Sequence, residues 1–107
     1  MKSFGFVSLA LLALLADVTA LASGDSQAGK AKAQSCAVCH GLAGISSQPA
    51  TPHLAGQPAI YVNEQLQAYR SGKRQNAIMS VIAKPLTDRD IQDLAAWYAS
   101  IEIQVKQ

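Results

Sequence analysis

The chain has 107 residues, half of them apolar, with nine basic against seven acidic side chains and a formal charge of +2. That length fits one domain, and so even a charge balance, with no dense basic run, argues against nucleic-acid binding. With two cysteines and two histidines, metal or cofactor chemistry is confined to a handful of positions.

The N-terminal stretch reads as a leader rather than as part of a fold. Lys2 gives a small positive start, Phe4 to Ala16 is an uncharged and mostly apolar run, and Ala20-Leu21-Ala22 is a small-x-small cleavage site before the polar Ser23-Gly24-Asp25. This is the pattern of a secretory signal peptide, removed after about Ala22. The run is shorter than the roughly 20 apolar residues a membrane span needs, and Asp17 follows it directly. An uncleaved anchor is the alternative. Lys2 and Asp17 cancel, so residues 23–107 keep the same net charge, but Phe4 and Phe6 are lost with the leader. A domain this small buries only about 60% of its unfolded surface and is marginal without help.

Within residues 23–107, Asp25 or Ser26 is placed to cap a first helix through Ala28, Lys30, Ala31 and Ala33, ending at Cys36. Gly29 inside it costs about 1 kcal/mol against alanine, which suits close approach by another helix; a tolerated surface glycine is the plain alternative. Residues 41–57, rich in Gly, Pro and Ser, form a loop. Pro58 stands where a first helical residue belongs, and the helix it opens, through Ile60, Tyr61, Leu66 and Tyr69, stops at Gly72. Residues 73–77 are turn-like, and Ile78 to Ala83 is a short apolar run closed by Lys84-Pro85. Thr87 with Asp90 three residues on resembles a capping box. After it Ile91, Leu94, Ala95, Tyr98 and Ile101 fall on one helical face. No useful strand pattern occurs, so the expected fold class is all-α.

Cys36-Ala37-Val38-Cys39-His40 carries the chemistry. Two thiols three residues apart on a helix point the same way, and the histidine beside them reaches a metal held between them. Cys-x-x-Cys-His is the attachment signature of c-type haem, in which the thiols add to the vinyl groups and the imidazole takes an axial position. A structural disulfide is one alternative. Zinc held by Cys36, Cys39, His40 and His53 is another, at the price of using every candidate ligand. A flat macrocycle fixed by two thioethers would also supply the core that a chain of this size lacks.

Met79 is the one methionine left after the leader, and a thioether is a suitable sixth ligand for haem iron; core filling is its ordinary use. His53 is the competing ligand. Pro52 is a candidate second-layer partner, because a metal-bound histidine donates its other ring N–H to a carbonyl or carboxylate; a loop stiffener is the plain reading.

Cys36-Ala37-Val38-Cys39-His40-Gly41, Pro52-x-Leu54-Ala55-Gly56-Gln57, Ile78-Met79, Leu86-Thr87-x-x-Asp90 and Leu94-Ala95-Ala96-Trp97-Tyr98, with Tyr61, Gln65, Tyr69, Gly72 and Arg74 between them, resemble the class I c-type cytochromes of bacteria. The match runs through essentially all of residues 23–107. It looks most like one half of the two-haem cytochrome c4 proteins and is similar to small single-haem cytochromes c. The resemblance implies three to five helices around one covalent haem c, with thioethers at Cys36 and Cys39. It makes His40 and Met79 the axial ligands, has the Pro52 carbonyl accept from His40, and sets Gly29 opposite Trp97 where the first and last helices cross. Arg74 falls near a propionate, with a solvated surface arginine as the alternative.

By the same resemblance the chain is expected to be a periplasmic one-electron carrier and not an enzyme, working between redox proteins that the sequence does not identify. Lys30, Lys32, Lys73 and Lys84 are candidates for steering an acidic partner, or are ordinary solvated charges. A second Cys-x-x-Cys-His, present in the two-haem proteins, is absent here. A lone carrier, a self-associating homodimer and a cytochrome subunit of a dehydrogenase complex all remain open. A haem peroxidase or gas sensor is the rival from another class, and the lack of a distal acid–base pair speaks against it.

Overall fold

The computed structural model describes residues 1–3 and 24–107. The signal-peptide reading of residues 1–22 therefore falls, apart from residues 1–3, outside the described residues. Five helices and no strand occur among the described residues: α1 (Ser26–Lys32), α2 (Gln34–His40), α3 (Ala59–Ser71), α4 (Met79–Ala83) and α5 (Asp88–Ser100). None of these is long and apolar enough to cross a membrane.

Local chemistry explains most of the boundaries. Asp25 caps α1, its side chain accepting from the N–H groups of Gln27 and Ala28. Thr87 and Asp90 form a complete capping box at the start of α5, each side chain accepting from the other's backbone N–H. Gly72 ends α3 in the left-handed conformation, with φ of 84°, which an L-residue adopts only at a cost. Pro58 is the N-cap of α3, one position earlier than the sequence suggested.

The first helix differs from expectation. It breaks at Ala33, which caps the end of α1 and the start of α2, so the cysteines and His40 lie within a second helix instead of at the end of the first. Ala33 keeps right-handed dihedrals (φ −69°, ψ −7°), and the break is a small bend with no Gly or Pro to announce it.

α5 is the centre of the packing. Its face of Ile91, Leu94, Ala95 and Tyr98 is buried, and both α1 and α3 lie against it. α1 approaches closely because Gly29 has no side chain. A Cβ there would stand 1.9 Å from the Asp93 carbonyl oxygen and 2.8 Å from Trp97 Cβ. Asp93, buried within this face, accepts from the Asp25 N–H (2.8 Å) and the Lys32 ammonium (2.7 Å). Lys32 also pairs with Asp90 at 2.9 Å. A buried carboxylate is tolerable when it is paired and hydrogen-bonded in this way. Both acids are held below the usual carboxylate range, Asp93 first by Lys32 and Asp90, at about 2, first by the Thr87 backbone.

α4 is attached to α3, and α2 to α1, while α2 and α4 make no contact with each other. The buried hydrophobic residues are otherwise small: Ala33, Ala55, Val62 and Ala83.

Candidate functional site

Cys36, Cys39 and His40 occupy the last turn and a half of α2, so one rigid element fixes their mutual positions. Cys36 packs on the cluster formed by Ala33, Leu94 and Tyr98. Burial pushes its thiol up from the ordinary value. No disulfide joins it to Cys39.

His40 is buried at 7% exposure, and its Nδ1 lies 2.9 Å from the carbonyl oxygen of Pro52. A carbonyl only accepts, so Nδ1 carries the proton, and the lone pair of the neutral ring sits on Nε2. Among the described residues Nε2 has no hydrogen-bond partner. The imidazole is thus held in the tautomer and orientation that a metal ligand needs.

The loop that brings Pro52 to this position is tied to the end of α2. Ser46, buried, donates through its hydroxyl to the Cys39 carbonyl (3.0 Å), and Gln48 Nε2 donates to the Val38 carbonyl (3.1 Å). The backbone N–H groups of Leu54 and Ala55 both donate to the Gly44 carbonyl, and Gly56 N–H donates to that of Tyr98. These bonds satisfy helix-end carbonyls and position the acceptor for His40.

Met79 is the first residue of α4, a helix that does not touch α2. Its N–H and that of Ile78 both donate to Asn76 Oδ1, at 3.0 and 2.9 Å. Arg74 is exposed between α3 and α4, donating to Gln65 Oε1 at 2.8 Å with its guanidinium 4.7 Å from the centre of the Tyr69 ring. His53 Nδ1 accepts the Ser46 N–H at 2.8 Å in an exposed part of the loop. Its ring is committed to the loop backbone, and no group of three His, Cys, Asp or Glu side chains among the described residues is gathered as a metal ion would require. A zinc site at Cys36, Cys39, His40 and His53 is therefore not formed. Of the four lysines considered for steering, Lys32 is consumed by Asp90 and Asp93, and Lys30 sits 5.5 Å from the centre of the Trp97 ring.

The donor set suits a covalent haem on three counts. Two thiols and an oriented imidazole share α2, while the thioether is on α4, and these two helices do not touch. Exposed apolar side chains flank both segments, Val38, Leu42 and Ile45 around His40 and Ile78, Val81 and Ile82 around Met79, with others at Ile60, Tyr61, Ile103 and Val105. Apolar surface on both flanking segments suits a macrocycle that would lie between them. Finally, Trp97 Nε1 and Tyr98 Oη are buried without a hydrogen-bond partner among the described residues, Tyr98 packing beside Cys36. One open cleft, of about 710 Å³, is lined by Tyr69, Gly72, Asn76, Ser80 and Lys84 among others and includes none of Cys36, Cys39, His40 and Met79.

A small helical domain that offers two thiols and a fixed imidazole from one helix, and a thioether from another, is a c-type haem domain. The comparisons agree: the cytochrome c family profile matches residues 26–102, and the chain belongs to that family. It is 42% identical over 83 residues to cytochrome c-554(548) of Halomonas halodenitrificans, covering 75% of this chain and all of that one. The crystal structure of reduced recombinant cytochrome c4 from Pseudomonas stutzeri superposes with a TM-score of 0.71 at 36% identity, over 75% of this chain and 47% of the other. The thiosulfate dehydrogenase electron acceptor of Thiomonas intermedia is 40% identical over 72 residues, 66% of this chain and 33% of that protein. The chain thus spans the whole of one relative and half or less of the others. It has the class I cytochrome fold and is an electron-transfer protein, not an enzyme, with one haem c bound covalently.

The sequence did not single out Asn76, Ser80, Ser46 or Asp93. Asn76 ahead of a short apolar run was an available cap signal. Asp93 and Ser46 had none, because their partners are distant in sequence or belong to the backbone.

Proposed function

We propose that Cys36 and Cys39 carry the thioethers, that His40 Nε2 and Met79 Sδ are the two axial ligands, and that the protein is an exported carrier with both axial positions filled. The observation that carries this reading is the His40–Pro52 hydrogen bond, which leaves one ring nitrogen available on the helix that bears both cysteines. A bound haem iron would supply reversible one-electron chemistry. Of the chain's own residues, Pro52 holds the His40 imidazole in one tautomer, and Met79 would offer a soft sulfur donor that leaves small ligands no ready place. A thioether paired with histidine favours the ferrous state and so raises the potential. Arg74, with one N–H on Gln65, keeps further donors for a propionate carboxylate.

Residues 1–22 act in this reading as a cleaved leader that delivers residues 23–107 to the periplasm. The donor and acceptor in this reading are redox proteins. The likeness to a thiosulfate dehydrogenase electron acceptor favours a second reading, in which the chain takes electrons from a dehydrogenase as its cytochrome partner or subunit. A homodimer would match the way the chain covers about half of cytochrome c4.

The test is the spectrum of protein exported together with a haem-attachment system, reduced and then exposed to carbon monoxide. A sharp low-spin spectrum of the c type, unchanged by carbon monoxide, is expected. Ready binding of carbon monoxide would leave attachment intact and reject the closed site.

A further inference from the structure

We propose that Asn76 and Ser80 are positioning residues for Met79, closing the turn that presents its sulfur; the proposal rests on the reading of Met79 as an axial ligand. Four hydrogen bonds surround this turn. Asn76 Oδ1 accepts from the N–H groups of Ile78 (2.9 Å) and Met79 (3.0 Å). Ser80 returns the bond, its Oγ accepting the Asn76 N–H at 3.0 Å, and its own N–H donates to the Asn76 carbonyl at 3.1 Å. The side chains at 76 and 80 thus reach in opposite directions along one turn, a reciprocal arrangement like a capping box but one residue longer.

Packing against the rest of the protein adds little to these bonds. Residues 71–78 are exposed, and of α4 itself only Ala83 is buried, while Val81 and Ile82 are open. The open cleft lined by Asn76, Ser80 and Lys84 runs along the same turn, so no protein packs on that side of it. The other end is held by Arg70, which donates to the Leu86 carbonyl at 3.0 Å and to Asp88 at 2.6 Å. Between Gly72 and Ala83 these side-chain hydrogen bonds are the protein's own constraints on Met79, beside any contact a bound haem makes with Ile78, Val81 and Ile82. A turn fixed in this way opens locally when its cap is removed, without the whole domain unfolding.

An axial sulfur that leaves the iron more often admits an external ligand more often, because apparent affinity scales with the population of the open form. The experiment measures carbon monoxide binding to the reduced holoprotein, and the ferric–thioether absorption band, in wild type, Asn76→Ala, Asn76→Asp, Ser80→Ala and Gly72→Ala. Asparagine to aspartate keeps the acceptor oxygen and is the rescue. Gly72 caps α3 with nothing within 4 Å of a Cβ, and its alanine variant lowers stability without touching the turn.

Asn76→Ala is expected to bind carbon monoxide about tenfold more readily, the size of effect a lost capping side chain produces. Ser80→Ala should fall between, and Asn76→Asp and Gly72→Ala should stay with wild type. Equal binding in wild type and Asn76→Ala, with the band present in both, overturns the proposal and leaves Met79 ligation standing. An equal rise in Gly72→Ala overturns it as well, since general loosening would then suffice. Absence of the band from wild type would instead remove the ligand reading beneath it.

Discussion

Replacing Gly29 by alanine tests whether the approach of α1 to α5 holds the fold together. The new Cβ would sit 1.9 Å from the Asp93 carbonyl oxygen, 2.5 Å from its carbon and 2.8 Å from Trp97 Cβ, where ordinary contact begins at 3.4 Å. Two of these atoms are backbone, so no rotamer relieves the clash, and the helices must part by about 1.5 Å in an interior packed as densely as a crystal. Alanine in a helix is otherwise worth about 0.5–1 kcal/mol over glycine, so without the clash the change would stabilise. Overpacking costs about 1–3 kcal/mol, and separation also stretches the Asp25–Asp93 and Lys32–Asp93 bonds on the same seam. Taking the upper end, the net loss is about 2 kcal/mol, or a fall in Tm of about 8–16 °C for a domain of this size. Thermal unfolding of the holoprotein, followed by far-ultraviolet circular dichroism, reads it. A Tm equal to or above that of wild type would refute the reasoning, because only an unobstructed helix gains from alanine.

Gly72→Ala forces an L-residue into the left-handed region with no contact to offset the strain, and should cost about 1–2 kcal/mol with an unchanged haem spectrum; an unchanged urea midpoint would contradict the strain. Acid stability follows from Asp90 and Asp93, whose folded pKa values are depressed. Their contribution is present above the ordinary carboxylate value and is lost as pH falls through the folded values, near 2 for Asp90. Urea midpoints should therefore decline from about pH 4 toward pH 2, and a flat profile there would count against the pairing. Lys32→Met leaves buried Asp93 with only the Asp25 N–H and Arg89 at 4.0 Å, so the variant should be weaker at neutral pH and show a shallower acid decline than wild type. His53→Ala should leave the ferric spectrum unaltered, since its ring serves the loop through Ser46; a changed spectrum would return His53 as a ligand.

The elements most legible in the sequence were those with local causes. The Thr87–Asp90 capping box, the buried face of α5, the stop at Gly72 and the cysteines with His40 each announce themselves within a few residues. For Pro52 the residues alone left a loop stiffener and an acceptor for His40 both open, and only the family resemblance implied the hydrogen bond that the structure shows. What stayed hidden depends on distance or on backbone geometry. The bend at Ala33 uses ordinary right-handed dihedrals, so no residue type marks it. Asp93 interrupts the apolar face of α5, and only the partner Lys32, on another helix, makes its burial tolerable. Lys32, counted among the surface cations, proves to be part of that internal pair. Ser46 and Asn76 lie in stretches read simply as loop and turn, and their hydrogen bonds give those stretches fixed shapes.

The most direct measurement of the central claim is the ferric absorption spectrum of wild type beside Met79→Ala, both with haem attached through Cys36 and Cys39. If His40 and Met79 close the site, wild type shows the weak ferric–thioether band and the variant lacks it while retaining its thioether-bound haem. A band that survives in Met79→Ala, or that is missing from wild type, would contradict the account.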